Sequence, residues 1–182
     1  MYFVPQTGVQ LRVNEAFNDV ELYVSGESSA TSVGARFEMW RGAYHLILEK
    51  PLIGWGENGY QQGMQTLADK EVVDEVVTNF GHPHNEFIDA FAKRGVIGLA
   101  ALLALYLVPM RLFALQIAAK NLELRSVAVA GVLLSVTYID FSLTQSFLSH
   151  NSGVMMFAFL LAVLWGIYSC QRKALVIPKS PF

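Results

Sequence analysis

The sequence predicts an all-α chain, a polytopic membrane protein fragment in which a mostly helical, water-facing region over residues 1–94 leads into about three transmembrane helices over residues 95–182. Three observations predict it. Hydrophobic residues make up 53% of the chain and charged residues only 15%, with a mean hydropathy of +0.38, which displaces the composition toward the membrane class. Charge is uneven: residues 1–94 hold seven Lys/Arg against thirteen Asp/Glu and residues 95–182 six against two, so an acidic half precedes a weakly basic one. The apolar runs all lie in the second half. No basic block or aromatic-basic interleaving points to nucleic acid. The single cysteine, Cys170, excludes an intrachain disulfide framework and a Cys-based zinc site and reads as a small apolar residue at a helix end.

Along the water-facing half, residues 9–24 predict a helix and Ser25 to Gly34 a Ser/Gly/Thr-rich linker. Val33 to Lys50 predicts an amphipathic helix: Ser32 can cap it, Pro51 ends it, and Phe37, Trp40, Tyr44, Ile47 and Leu48 form an apolar stripe. Gly54, Gly56 and Gly59 with Asn58 predict a turn, Tyr60 to Leu67 a short helix, and Asp69 to Gly81 an acidic loop. Pro83 suits the first turn of a helix, where its missing N–H costs nothing, and Gly95 is a natural break about three turns later. On that helix His84, Ile88 and Phe91 share one face, with His84 at the mouth of a packed groove.

Three apolar segments come next, over 95–115, 126–148 and 152–169. At about 1.5 Å per residue the first covers about 30 Å, the hydrocarbon thickness of a bilayer. It contains Pro109 and Arg111, and Arg111 can snorkel from its far end. Asp140 interrupts the second and stands either at a functional position or in a pairing between helices. Arg111, Lys120 and Arg125 surround the connection after the first span, and Arg172, Lys173 and Lys179 lie in the tail, whereas Thr144 to Asn151 carries no Lys or Arg. The positive-inside rule therefore places the C-terminus in the cytoplasm and residues 1–94 on the other side. Met1 to Gly8 has neither the basic nor the apolar region of a signal peptide.

The stretch His84-Asn85, nine residues, Gly95-Val96-Ile97-Gly98 resembles the signature of the O-antigen ligase family, membrane glycosyltransferases that include O-antigen polymerases and protein O-oligosaccharyltransferases. Upstream, Ala35-Arg36-Phe37-Glu38-Met39-Trp40 and Pro51-Leu52-Ile53-Gly54-Trp55-Gly56 resemble that family's arginine-tryptophan helix and Pro-x-x-Gly-x-Gly turn. The Thr-x-Gly that often comes after the second glycine is replaced by Leu99 and Ala100. The resemblance implies transfer of a glycan from undecaprenyl diphosphate to an acceptor such as the lipid A core, at the periplasmic side of a bacterial inner membrane, with no metal and no cofactor. It also implies a longer protein, of which this sequence would be the last periplasmic loop and C-terminal helices, dependent on the missing N-terminal half for activity. The alternative reading is a non-catalytic remnant or a small membrane assembly or transport component.

The candidate site residues derive from that chemistry. Transfer from a lipid diphosphate requires that an acceptor hydroxyl lose its proton and that the leaving diphosphate be held. An imidazole takes a proton at neutral pH, which nominates His84 as catalytic base against the plainer reading of a structural histidine. A guanidinium fork near a helix N-terminus matches a phosphate, which nominates Arg36, with Arg41 as substitute, against a plain ion pair with Glu38. Trp40, one turn after Arg36, and Asn85, beside His84, are candidate substrate contacts. Glu86 can orient the ring or simply favour a helix start. His82, His84 and Glu86 match no strong metal spacing.

Overall fold

The computed structural model describes residues 8–176, so the expectations that fall on Met1–Thr7 and on Lys179 lie outside the described residues. Its elements are helical: α1 (Val9–Ser25), α2 (Ser32–Glu49), α3 (Gly56–Asp69), a 3₁₀ turn at Glu75–Asn79, α4 (Glu86–Ala114), α5 (Leu122–Thr144), a 3₁₀ turn at Phe147–Ser149 and α6 (Asn151–Val176). No strand occurs among the described residues. The chain divides into two compact units, one running to His84 and including Ile88–Ile97, the other comprising Asn85–Phe87 and everything from Gly98 on.

The first unit is built on α2. Thr31 rather than Ser32 caps it, its hydroxyl accepting from the Gly34 N–H at 3.1 Å, which satisfies one of the orphan donors of the first turn. The packed face also differs from the expected stripe. Ala35, Met39, Ala43 and Leu46 are buried, with Gly34, Glu38 and Gly42, whereas Tyr44 and Leu48 are each 60% exposed. The cause is close approach. A Cβ on Gly42 would lie 2.6 Å from the Met64 sulfur and one on Gly63 2.6 Å from Leu46 Cδ2, so glycines let α2 and α3 interlock while Tyr44 and Leu48 look outward. Tyr60, Met64, Leu67, Val73, Val77 and Ala92 complete this core. Asn58 and Gly59, expected in a turn, lie inside α3, and the expected acidic loop contains the 3₁₀ turn at Glu75–Asn79.

A backbone crossing closes the unit. Gly95 leaves helical geometry at φ 65° and ψ −165°, and a Cβ there would lie 2.2 Å from the carbonyl of Leu52. Gly54, at φ 69°, meets the Lys93 backbone in the same way, at 2.4 Å. Only glycine permits both the left-handed angle and the contact. Two hydrogen bonds fasten the crossing: the Val96 N–H donates to Pro51 O at 2.8 Å and the Trp55 N–H to Ala92 O at 3.0 Å.

Beneath it is a buried charge pair. Lys93 and Asp89, 3% and 0% exposed by side chain, stand 2.8 Å apart one turn from each other on α4, in ion-pair contact without hydrogen-bond angles. Lys93 also donates to Glu57 at 2.6 Å and sits 5.2 Å from the Tyr60 ring centroid. Burial, then the nearby Asp89 and Glu57 charges, raises the Tyr60 phenol well above its ordinary value.

In the second unit each pair of long helices is joined by one tyrosine. Tyr106 on α4 bonds Ser142 on α5 at 2.9 Å, Tyr138 on α5 donates to Gly153 O on α6 at 2.9 Å, and Tyr168 on α6 donates to Leu112 O on α4 at 2.9 Å. Such buried bonds hold helices together where lipid offers no hydrophobic drive. Gly131 seats the Phe113 ring, 2.3 Å from where its Cβ would be. Large apolar residues such as Leu133, Met155 and Phe159 face outward at 57%, 70% and 66% exposure. Helices Glu86–Ala114, Leu122–Thr144 and Asn151–Lys173 are each long and apolar enough to cross a membrane. The second begins and ends four residues earlier than the expected 126–148, and the third extends past the expected 152–169 at both ends. Asp140 is exposed near the end of α5 and has no ion-pair partner among the described residues.

Candidate functional site

Arg36 stands in the second turn of α2, half-buried, and lines a cleft of about 240 Å³ together with Thr31, Ser32, Met39, Val76, Phe80 and His84. No described residue forms an ion pair with it. Glu38, its expected partner, is engaged elsewhere. Glu38 is 4% exposed, accepts from the Tyr23 hydroxyl at 2.6 Å and the Asp74 N–H at 2.7 Å, and pairs with Arg41 at 3.3 Å. Arg41 therefore belongs to a second, larger cleft of about 910 Å³ whose walls include Tyr23, Glu38, Asp69, Asp74 and Glu75. The two arginines serve different surfaces. Burial, then the bond to Glu38, raises the Tyr23 phenol, and the Ser29 hydroxyl and Val76 N–H hold the Asp74 carboxyl below the usual carboxylate range.

His84 is not on a helix. It adopts φ 50°, and α4 starts two residues later at Glu86, so the expected shared face with Ile88 and Phe91 does not form. The left-handed backbone is why: a non-glycine residue in that conformation cannot share a helical register with the residues after it. Its ring packs edge-on to Phe80 at 5.7 Å and to His82 at 4.4 Å, and its N–H donates to His82 Nδ1 at 3.4 Å. The loop is tied to α2 through Trp40, whose indole N–H donates to Pro83 O at 2.8 Å. That bond occupies the indole donor one turn beyond Arg36, so Trp40 fixes the loop that carries His84.

Asn85 belongs to the second unit. Its side-chain oxygen accepts from the Phe87 N–H at 3.0 Å, and its amide donates to Leu143 O at 3.1 Å, so it caps the start of α4 and engages the end of α5. Glu86, 3% exposed, accepts from the Leu148 N–H at 2.9 Å. The structure brings Arg36 and His84 to one cleft, with Trp40 bonded to the loop that carries His84. The Asp89/Lys93 pair was not among the expected residues, and its i, i+4 spacing was the available signal.

The model of the O-antigen ligase family matches residues 4–103. The chain belongs to that family. It is 34% identical over 149 residues to an uncharacterized protein of Haemophilus influenzae, covering 82% of this chain and 37% of that protein. It is also 30% identical over 100 residues to an O-antigen ligase of Escherichia coli, covering 54% of this chain and 24% of that enzyme. The chain thus spans little more than a third, and about a quarter, of the length of these two curated relatives. The matched region contains Arg36, Trp40, His84 and Gly95.

Proposed function

We propose that this chain carries the base and the diphosphate clamp of an O-antigen ligase-like glycosyl transfer, from undecaprenyl-diphosphate-linked glycan to the lipid A core. The observation that carries the reading is the common cleft of Arg36 and His84. In the transfer the acceptor hydroxyl oxygen bonds to the anomeric carbon and its proton passes to the His84 imidazole. The bond from that carbon to the diphosphate oxygen breaks, and the departing charge is held by the Arg36 guanidinium, a planar fork suited to phosphate, with no divalent ion required. At about 240 Å³ the cleft is smaller than the ~300–1,000 Å³ of pockets for drug-sized ligands. It suits the diphosphate end of the donor, and the glycan and polyprenyl chain extend outside it.

The same reading puts the cleft on the periplasmic side. Arg111, Lys120 and Arg125 surround the connection between α4 and α5, Arg172 and Lys173 lie near the end of α6, and residues 145–150 carry no Lys or Arg. Cys170 is exposed and tests this: in intact spheroplasts it resists a membrane-impermeant maleimide and reacts after permeabilisation.

The chemistry is tested in a full-length enzyme carrying these residues, in a strain lacking its own ligase. His84→Ala and Arg36→Ala each abolish ligated lipopolysaccharide at unchanged membrane protein level, and loss of a positioned base costs about 10²–10⁴-fold in rate. Arg36→Lys is also impaired, because an ammonium cannot form the bidentate fork. Wild-type ligation in either alanine variant removes that residue from the site. Glycan polymers without ligation would reassign the acceptor to a growing chain, and glycosylated protein would reassign it to a polypeptide.

A further inference from the structure

The first unit leaves a cluster of large apolar side chains uncovered around its backbone crossing. Leu52 is 66% exposed, Ile53 72%, Val96 45% and Ile97 65%. Tyr44 and Leu48, each 60% exposed and one turn apart, lie on the part of α2 that runs into the same turn. The crossing itself is rigid. The Val96 N–H donates to Pro51 O at 2.8 Å, and the Gly95 α-carbon is pressed against the Leu52 carbonyl, so Leu52 and Ile53 cannot move independently of Val96.

Val96 is where the apolar run of α4 begins after the Gly95 break, within a helix long and apolar enough to span a membrane. A turn hydrogen-bonded to the first residue of that run lies at its depth. Its flanks match the same boundary: Lys50 sits 3.7 Å from the Trp55 ring centroid and Arg94 is exposed, an arrangement of cations and tryptophan found where protein meets headgroups. Glu49 is exposed there too.

We propose that the Pro51–Gly54 turn is a second membrane contact of this chain, inserting Leu52 and Ile53 into the lipid surface beside Val96 and Ile97. The occupant is lipid, because the patch is continuous with the start of a membrane span. The turn holds the connection between α2 and α3 at headgroup level. This rests on the membrane-crossing of α4 and is independent of the proposed chemistry at Arg36 and His84.

The test uses the full chain in vesicles of phosphatidylethanolamine and phosphatidylglycerol, in a Cys170→Ser background with single cysteines at Ile53→Cys, Leu52→Cys or, as aqueous control, Gln65→Cys, each bearing a nitrobenzoxadiazole label. The labels at 52 and 53 show blue-shifted emission, lose intensity to doxyl-labelled lipid and resist aqueous iodide, while the label at 65 behaves oppositely. Iodide quenching at 52 and 53 equal to that at 65 overturns the proposal. Shielding from both quenchers overturns it as well, since protein rather than lipid would then cover the turn. Both tested side chains are exposed, so labelling disturbs no packing, and an unchanged melting temperature verifies this for each variant.

Discussion

The Trp40 indole N–H donates to the Pro83 carbonyl at 2.8 Å, tying the loop of His84 to the helix of Arg36. The bond spans 43 residues of sequence and fixes one wall of the cleft against the other. Trp40→Phe keeps an aromatic ring beside Phe37, whose centroid lies 5.9 Å from that of Trp40, and removes the donor. A lost hydrogen bond of this kind costs about 1 kcal/mol, a small shift in melting temperature. Displacement of a reacting group by about 1 Å can cost about 10²-fold in rate. Trp40→Phe therefore lowers kcat far more than it raises KM or lowers stability, and a variant losing stability and rate in proportion would make Trp40 merely structural.

His84 carries both an imidazole and a left-handed backbone at φ 50°, and alanine removes one while straining the other. Asparagine tolerates that region better than most residues and glycine adopts it freely. His84→Asn and His84→Gly are thus the cleaner substitutions. Each avoids the backbone strain and costs stability only through the lost ring contacts with Phe80 and His82, and each eliminates transfer. A β-branched residue does the reverse test: His84→Val destabilises as well as inactivates.

The architecture was legible because hydropathy, charge asymmetry and Pro/Gly punctuation all act locally. The three spans and Gly95 as a break derive from such signals. The packed face of α2 was not legible. Phe37, Trp40, Tyr44, Ile47 and Leu48 form the more hydrophobic stripe, yet Ala35, Met39, Gly42 and Ala43 face the core, because the close approach of α3 needs a residue without a side chain at Gly42, which hydrophobicity alone does not mark. The helix start was misplaced for a related reason. Pro83 satisfies the steric rule for a first turn, but Asn85 offers a capping oxygen that Phe87 N–H uses, and the cap decides where the helix begins.

Gly95→Ala is severe. Its methyl group would meet the Leu52 carbonyl at 2.2 Å, with backbone rather than a movable side chain as the obstacle, and φ 65° is itself unfavourable to alanine. Strain of this class costs about 1–3 kcal/mol before any clash is relieved. The expected outcome is reduced accumulation in the membrane and a lowered melting temperature in detergent. Gly166→Ala, where nothing lies within 4 Å of the new methyl, is the matched control and is neutral.

Asp74 gives the first unit an acid-sensitive contact. Its carboxyl, bonded by Ser29 Oγ and the Val76 N–H, is held below its ordinary value. A depressed folded-state value stabilises above the unfolded value of about 3.9 and is lost as pH falls through the folded one. Melting measured from neutral pH down through the carboxylate range therefore shows a late acid loss that Asp74→Ala lacks. An identical acid limb in the variant assigns that loss to other carboxylates.

Lys93 and Asp89 lie under the crossing of Gly54 and Gly95, and their energetics are asymmetric. Asp89 has no exposed surface and Lys93 very little, whereas Glu57, the other partner of Lys93, is 68% exposed. The contact with Glu57 is screened by water and adds little. Lys93→Met leaves Asp89 as an uncompensated buried carboxylate, and breaking a buried pair in this way costs about 3–5 kcal/mol. Asp89→Leu alone strands the Lys93 ammonium, although Glu57 still offers it a way toward water, so the loss is smaller. Removing both charges together, in Lys93→Met/Asp89→Leu, restores much of the stability, because a well-packed apolar pair avoids the desolvation that the ion pair must overcome. The cycle is read as melting temperature of the three variants and the parent in one detergent. Additive losses would mean that the two side chains act separately, and the crossing would then be held by its backbone hydrogen bonds alone.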